Sequence, residues 1–286
     1  MTMRRTCRAM TWRWVAATLP LLAGALPLGC NGAESGAETG RAPGATAQAV
    51  DSAGLLADRA MEALGGEEAW KRTRFLAFTW VVARGDRSVK RSHAWDRYTG
   101  RYRLEYDSRD GKHLTLFNVN EVRPDSALGK VPSGEAWVQG KPLAGAGLDS
   151  ALARGYATFI NDTYWLLMPY KWRDPGVHLV YEGLRKLADG REYPVLHLTF
   201  EPDLGVTEDQ YWAFVDPETG LMAAWRYHLQ NQEEPGSLIW WKDWRQVGPI
   251  KLATDRRWPE GDTRIYFENL RADSIVPEEL FSPSTP

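Results

Sequence analysis

The chain has 286 residues, of which 43% are hydrophobic, so it can bury a sizeable core and does not have the composition of a disordered protein. Its formal net charge is -2 and becomes about -6 without the arginine-rich leader before residue 30, which argues against nucleic-acid binding. The 14 tryptophans favour a β-rich core, because aromatic side chains suit strands, and tryptophan also lines apolar ligand cavities.

Residues 1–29 have the pattern of a secretory signal peptide. Basic residues precede an apolar stretch from Val15 to Leu28, which is too short to span a bilayer comfortably. The letters Leu26-Pro27-Leu28-Gly29-Cys30 resemble the bacterial lipobox, in which the cysteine is lipidated and becomes the new N-terminus. We therefore expect lipidation of Cys30. The alternative is a soluble protein cleaved at Ala45-Thr46-Ala47.

The cysteine count agrees with lipidation. The two cysteines are Cys7, inside the leader, and Cys30, so the predicted mature domain has none to form a disulfide. Residues 30–49 are rich in Gly, Ala, Glu and Thr and predict a lipidated N-terminus followed by a flexible tether. An aspartate at position 31 would signal retention in the inner membrane. Because this position is Asn31, we expect anchoring at the periplasmic face of the outer membrane.

Residues 50–286 predict a single domain that opens with a helix. Asp51 can cap a helix running to Leu64, and Gly65-Gly66 can end it. From Phe75 the hydrophobic period changes to two, and short Gly-containing turns indicate an antiparallel meander. Five strands are predicted here, over residues 75–84, 88–98, 101–107, 113–119 and 135–139.

The segment 161–172 is the densest run of aromatic and large apolar side chains in the chain. A helix capped by Asp149 or Ser150 is predicted to run into it, and Pro169 and Asp174-Pro175-Gly176 end that helix. Seven further strands are predicted over residues 177–182, 193–201, 209–216, 221–229, 238–245, 250–258 and 263–271.

The predicted fold is mainly β within the α+β class. We expect a strongly curved antiparallel sheet that forms a half-open β-barrel of about 11–12 strands, with helices covering its concave face. Trp240 and Trp241 are neighbours in one strand and must face opposite sides, so apolar groups are expected on both faces of the sheet.

Several segments together resemble a known family. They are Ala63-Leu64-Gly65-Gly66, the turn from Val215 to Met222, the segment from Trp244 to Leu252, and the ending Ile265 to Leu270 followed by Val276 to Phe281. Over about residues 50–283 the chain resembles the periplasmic lipoprotein carriers and outer-membrane lipoprotein-sorting proteins, and a group of bacterial lipoproteins of unassigned function. The resemblance implies a half-open barrel around an apolar cavity for acyl chains. Because Cys30 would anchor this chain, apolar-ligand binding carries over more directly than shuttling.

Catalytic motifs are missing from the sequence, which contains no H-E-x-x-H, G-x-S-x-G, C-x-x-C or P-loop pattern. We predict a protein that is not an enzyme, with no catalytic residue, no metal and no cofactor. His178 and His197, on neighbouring predicted strands, are the best candidates for an acid–base or metal pair. Asp162 and Asp174 are interpreted as a helix cap and a turn former.

The main functional hypothesis is a monomeric, membrane-anchored envelope lipoprotein that binds an acyl chain, a lipid or a lipoprotein in the hollow of the sheet. The predicted ligand-binding residues are Phe78, Trp80, Trp165, Leu167, Met168, Trp212 and Trp225, with ordinary core packing as the alternative for each. A second hypothesis is an assembly lipoprotein that docks an envelope protein through residues 161–172, and a third is an envelope hydrolase or metal enzyme. Membrane contact is expected through the N-terminal lipid, and no nucleic-acid partner is expected.

Overall fold

Thirteen antiparallel strands form one curved, unclosed sheet in the computed structural model, which describes residues 44–201, 209–229 and 236–283, with side chains from residue 52. The predicted signal peptide, Cys30 and most of the predicted tether lie outside the described residues. The predicted mainly β fold, with helices on the concave face, is confirmed.

The first meander contains β1 Phe75–Arg84, β2 Arg87–Asp96, β3 Arg101–Ser108, β4 Gly111–Asp125, β5 Gly129–Val138 and the two-residue β6 Lys141–Pro142. The second contains β7 Val177–Lys186, β8 Glu192–Phe200, β9 Gln210–Val215, β10 Met222–His228, β11 Ser237–Val247, β12 Ile250–Arg257 and β13 Thr263–Asp273. The spatial order runs from β6 back to β1, then from β13 back to β7, so the first and last long strands pair in the middle of the sheet.

Three α-helices lie among the described residues: α1 Gly44–Ala63, α2 Glu67–Arg72 and α3 Gly145–Leu167. Helix α1 contacts β7 and β8 near one end of the sheet, while α3 contacts β4 and β5 near the other end and reaches β12 in between. Elements from both halves of the sheet therefore meet the helices on one side, which is the concave face.

Two predicted helix starts differ from the structure. Helix α1 begins at Gly44, so Asp51 lies inside the helix and does not cap it. Helix α3 begins at Gly145 instead of Asp149 or Ser150, and Ala144 stands at its N-cap without a side-chain hydrogen bond. Both helices begin several residues before the predicted cap, so a polar residue that could cap the helix lies within it instead.

The sheet is apolar on both faces, as expected. Trp241 belongs to a core cluster on the concave face together with Trp225, whereas Trp240 packs against a cluster on the opposite face around Val195 and Phe214. Since neighbouring residues of a strand point to opposite sides, the adjacent tryptophans are divided between the two faces. Within the described residues, no helix combines the length and apolar character that crossing a membrane would require.

Candidate functional site

The C-terminal end of α3 lies across the concave face, and a proline determines its polar contacts. Pro169 has no backbone N–H, so it cannot donate the helical hydrogen bond to the carbonyl of Trp165, four residues earlier. The guanidinium of Arg256, on β12, takes that place: its Nε and Nη2 lie 3.1 and 2.7 Å from the Trp165 oxygen. After Leu167 the chain tightens into a 3₁₀ turn, Met168–Lys171.

Arg256 is fully buried and stacks on aromatic rings. Its guanidinium lies 3.4 Å from the centroid of Trp241 and 5.0 Å from that of Phe267, and Nη1 also donates to the carbonyls of Ala253 and Asp255. Burial lowers the pKa of Arg256 well below its usual range, and the nearby Asp255 opposes this shift. A cation at this position is attracted to the negative C-terminal end of the α3 dipole, which stabilises the helix.

A second buried polar group joins the middle of α3 to β2. Asp162 has no exposed side-chain surface, and Arg91 donates to both of its oxygens over 2.6 and 2.7 Å. Asn161 donates to the same carboxylate over 2.8 Å. The Arg91 guanidinium lies 3.7 Å from the centroid of Trp80, so an aromatic ring covers one side of this ion pair.

His93 connects the Asp162 carboxylate to β3. Its Nε2 lies 3.1 Å from an oxygen of Asp162, its Nδ1 lies 2.8 Å from the hydroxyl of Tyr102, and Phe78 stacks on its ring at 4.4 Å. Burial lowers the pKa of His93, although Asp162 opposes the shift, so the imidazole is neutral at pH 7. Burial also raises the pKa of Tyr102, so its hydroxyl stays protonated and donates to Nδ1 of His93. The proton of the neutral His93 imidazole is therefore on Nε2, which faces Asp162.

Asp162 remains ionised despite its burial. Burial by itself would raise the pKa of this carboxyl, but the close imidazole of His93 and the hydrogen bonds from Arg91 outweigh burial and bring the pKa below its ordinary value. The interpretation of Asp162 as a helix cap is therefore wrong, since it lies inside α3 and pairs with two strand residues. The predicted role of Asp174 as a turn former agrees with its position, where its carbonyl accepts the N–H of Val177.

Six of the seven predicted ligand-binding residues lie on the concave side. Phe78, Trp80 and Leu167 share one core cluster, Met168 and Trp225 share another, and Trp165 packs against both. Trp212 lies apart from them on the opposite face, where it stacks on His197 at 4.6 Å. Its separation follows from strand alternation, since Tyr211 and Ala213 on either side of it take the inward positions of β9.

An aromatic cluster surrounds Trp165. Its ring centroid lies 4.9 Å from that of the buried Trp225 and 6.0 Å from those of Tyr227 and Trp258. Trp165, Tyr227, Trp258 and the neighbouring Tyr164 are half-buried, so this cluster extends from the core to the surface. We call these four half-buried residues the aromatic rim.

The inner part of the hollow is filled by the protein's own side chains. Leu166, Leu167 and Met168 are at most 1% exposed and belong to the same clusters as the sheet residues beneath them. Two surface clefts have volumes of about 410 and 510 Å³. The first lies between β4 and β5, and the second extends from Tyr193 and Trp240 to Met222 and Trp241 of the concave-face cluster. The indole N–H groups of Trp225 and Trp241 are buried and have no hydrogen-bond partner among the described residues.

The two histidines singled out from the sequence each have their own carboxylate. His178 lies 3.6 Å from Glu201, and His197 lies 3.0 Å from Glu182, with Gln210 on its other nitrogen at 2.9 Å. No group of three or more His, Cys, Asp or Glu side chains suited to a metal occurs within the described ranges.

Sequence reasoning missed Arg91, Asp162 and Arg256 as members of the hollow. A signal for Arg91 was present, because it shares strand parity with His93 and Trp95, which face inward. For Arg256, the signal was Pro169, which leaves a carbonyl of the preceding helical turn without its donor.

No protein-family model matches the chain, and no curated protein matches it. Among solved structures, it is similar to a DUF1329 family protein from Desulfovibrio piger, with 14% identity, a TM-score of 0.43, and coverage of 82% of this chain and 98% of that one. It is also similar to an uncharacterized conserved protein from Thermus thermophilus, at 10% identity and a TM-score of 0.32, covering 82% and 95%. A third is the Pseudomonas aeruginosa MucA/MucB complex, at 15% identity and a TM-score of 0.24, covering 80% of this chain and 61% of that chain.

Proposed function

We propose that this protein is a lipid-anchored bacterial envelope protein that binds an apolar ligand, such as an acyl chain, in the hollow beneath α3, and that it acts in lipid or lipoprotein sorting. The observation that carries the proposal is the aromatic rim, in which Tyr164, Trp165, Tyr227 and Trp258 form a half-buried surface continuous with the core. Apolar-ligand sites are lined mainly by aromatic and hydrophobic side chains with few polar groups.

An acyl ligand enters this site by taking over contacts that α3 makes with the sheet. Trp165 bridges the two core clusters of the hollow, so its displacement opens a path between them. The unpartnered indole N–H groups of Trp225 and Trp241 favour a ligand that also carries an oxygen acceptor, such as an ester or a carboxyl group.

Placement in the envelope is supported by the sequence of the first 30 residues. A basic leader, a short apolar stretch and the lipobox-like ending at Cys30 are the features of a secreted and lipidated chain. More than one acyl chain at Cys30 would give stable membrane attachment, which a single chain does not.

Native mass spectrometry of the full-length protein, purified without a tag, tests the proposal. We expect a co-purifying fatty acid or lipid, and saturable binding of a fluorescent long-chain fatty acid. Trp165→Ala should weaken that binding at least ~10-fold, the equivalent of about 1.4 kcal/mol. The matched control is Trp240→Ala, a half-buried tryptophan on the opposite face, which should leave the affinity within about twofold. Equal weakening by both variants, or no binding by the wild type, refutes the proposal.

Docking of a protein partner through residues 161–172 receives less support from the geometry. Leu166, Leu167, Met168, Tyr170 and Trp172 are at most 3% exposed, so most of the segment's apolar surface is already buried inside the domain. Little of it is left for a partner, because a specific interface buries roughly 800 Å² on each side.

A further inference from the structure

Helix α3 is attached to the sheet in two different ways. Its first half makes apolar contacts with β4 and β5 and buries Leu152. Its second half packs Phe159 against Trp95 of β2 and is also attached to β2 through a buried charge, the Asp162 carboxylate held by Arg91 and His93. This attachment lies about one and a half helical turns before Leu167, where α3 ends.

A buried charge is an unusual means of holding a helix in an apolar hollow. An ion pair taken out of water gains little net free energy, whereas losing one partner leaves an uncompensated buried charge and costs several kcal/mol. A leucine at position 162 could hold the helix by packing alone. The Asp162 contact is thus strong only while both partners are aligned, which distinguishes it from ordinary core packing.

The remaining contacts of α3 locate a hinge. From Trp165 onward the chain is fixed to the sheet, since Arg256 binds the Trp165 carbonyl and the Tyr170 hydroxyl lies 2.7 Å from the carbonyl of Lys251. At the other end, Gly145 and Gly147 meet no neighbouring atoms where a side chain would begin, and the helix has no side-chain cap. The ion pair between Asp149 and Arg123 of β4 is largely exposed there and contributes little. A movement of α3 therefore pivots just before Trp165 and leaves its last residues on the sheet.

We propose that Asp162, Arg91 and His93 form a latch that holds α3 over the hollow, and that release of the latch lets the part of α3 before Trp165 move away from the sheet to admit the ligand. This inference rests on the proposed function for the role of the opening, but not for the opening itself. The ring of Trp80 under Arg91 and the ring of Phe78 on His93 join the latch directly to the walls of the hollow.

Hydrogen–deuterium exchange of the full-length protein tests the latch without any ligand. Asp162→Asn keeps the size of the side chain and removes its charge. We expect the protection of the α3 amides to fall by about tenfold more than that of the β12 amides, because α3 then opens as a separate unit. If this variant does not fold, Arg91→Lys keeps the charge but loses the paired contact with both oxygens.

The matched control is Asp96→Asn. Asp96 is likewise a fully buried carboxylate, held by Arg74 over 3.0 and 2.9 Å, but it lies at the end of β2, away from α3. Its loss should lower the protection of α3 and β12 equally, and Arg74→Lys is the control for the lysine variant. Equal effects on α3 and β12 in the Asp162 or Arg91 variant overturn the latch.

Binding separates the latch from the proposed function. If the latch gates the site, the fluorescent long-chain fatty acid should associate at least about five times faster with Asp162→Asn than with the wild type, since the open form is more populated. Faster exchange confined to α3, without any fatty-acid binding, supports the latch and refutes the proposed function. Fatty-acid binding without faster exchange of α3 supports the proposed function and overturns the latch.

Discussion

Replacing Arg256 by methionine tests whether this arginine compensates for Pro169. The substitution leaves the part-buried Trp165 carbonyl without either of its donors, which costs about 1–3 kcal/mol for an unsatisfied group. The lost stacking on Trp241 adds about 1–2 kcal/mol, while relief of the buried charge offsets part of the sum. We expect a net loss of about 1–3 kcal/mol in the free energy of unfolding.

A second substitution makes the reasoning specific. Pro169→Ala restores the N–H that a helix would direct at the Trp165 carbonyl, so it should recover about 1 kcal/mol in the methionine variant. In the wild type the same change should be neutral or destabilise by up to about 1 kcal/mol, because the proline restricts the unfolded chain. The coupling between the two positions is therefore expected to reach about 1–2 kcal/mol.

Urea unfolding of the four proteins, followed by tryptophan fluorescence and circular dichroism, measures this coupling. A coupling energy below about 0.3 kcal/mol would mean that the two sites are independent. That result would refute the role assigned to Arg256.

Two further predictions concern α3 and its contacts. Burial lowers the pKa of His93, which faces Asp162, Arg91 and Tyr102, so the unfolded chain takes up a proton that the folded chain resists. The free energy of unfolding should fall as the pH decreases from about 6.5, and His93→Gln should flatten this part of the profile in urea titrations at several pH values. An unchanged profile would contradict the buried neutral state. A Cβ at Gly155 would lie 3.1 Å from the ring of Phe117, so Gly155→Ala should change the free energy of unfolding by less than about 1 kcal/mol, as helix propensity offsets crowding. Gly155→Val should destabilise by about 1–3 kcal/mol in the same assay, and equal stability of the two variants would contradict close packing there.

The sheet was predictable from the sequence where an apolar run ends clearly at a turn. Strand β1 has the predicted limits Phe75–Arg84, because it is a run of aromatic and β-branched residues that a Gly-containing turn follows. Strand β5 begins at Gly129, six residues before the prediction, since prolines at 124 and 132 and a register shift between Asn118 and Val122 obscure the alternation. The two-residue β6 has no periodicity to detect.

The hollow was predictable in its apolar part only. Large aromatic residues at helical or strand spacing indicate burial, and Phe78, Trp80 and Trp165 were found in this way. A charged residue in a strand or helix is usually solvated, so Arg91 and Asp162 could not be recognised as a buried pair until their two elements were placed together. The face of the sheet on which Trp212 lies could not be predicted for a related reason. Apolar groups occur on both faces, so alternation does not distinguish the inner face from the outer one.

The pairing of β1 with β13 determines the order in which the sheet can be completed. These strands come from opposite ends of the described domain, and their ladder runs from Phe75 opposite Asp273 to Arg84 opposite Thr263. The β1–β2 hairpin closes a short loop, whereas the pairing of β1 with β13 closes a loop that spans nearly the whole domain. Closing the long loop has the larger entropic cost, so this pairing is expected to form late in folding. A chain that is completed gradually from its N-terminus must therefore keep the inner face of its first meander soluble until its final strand arrives.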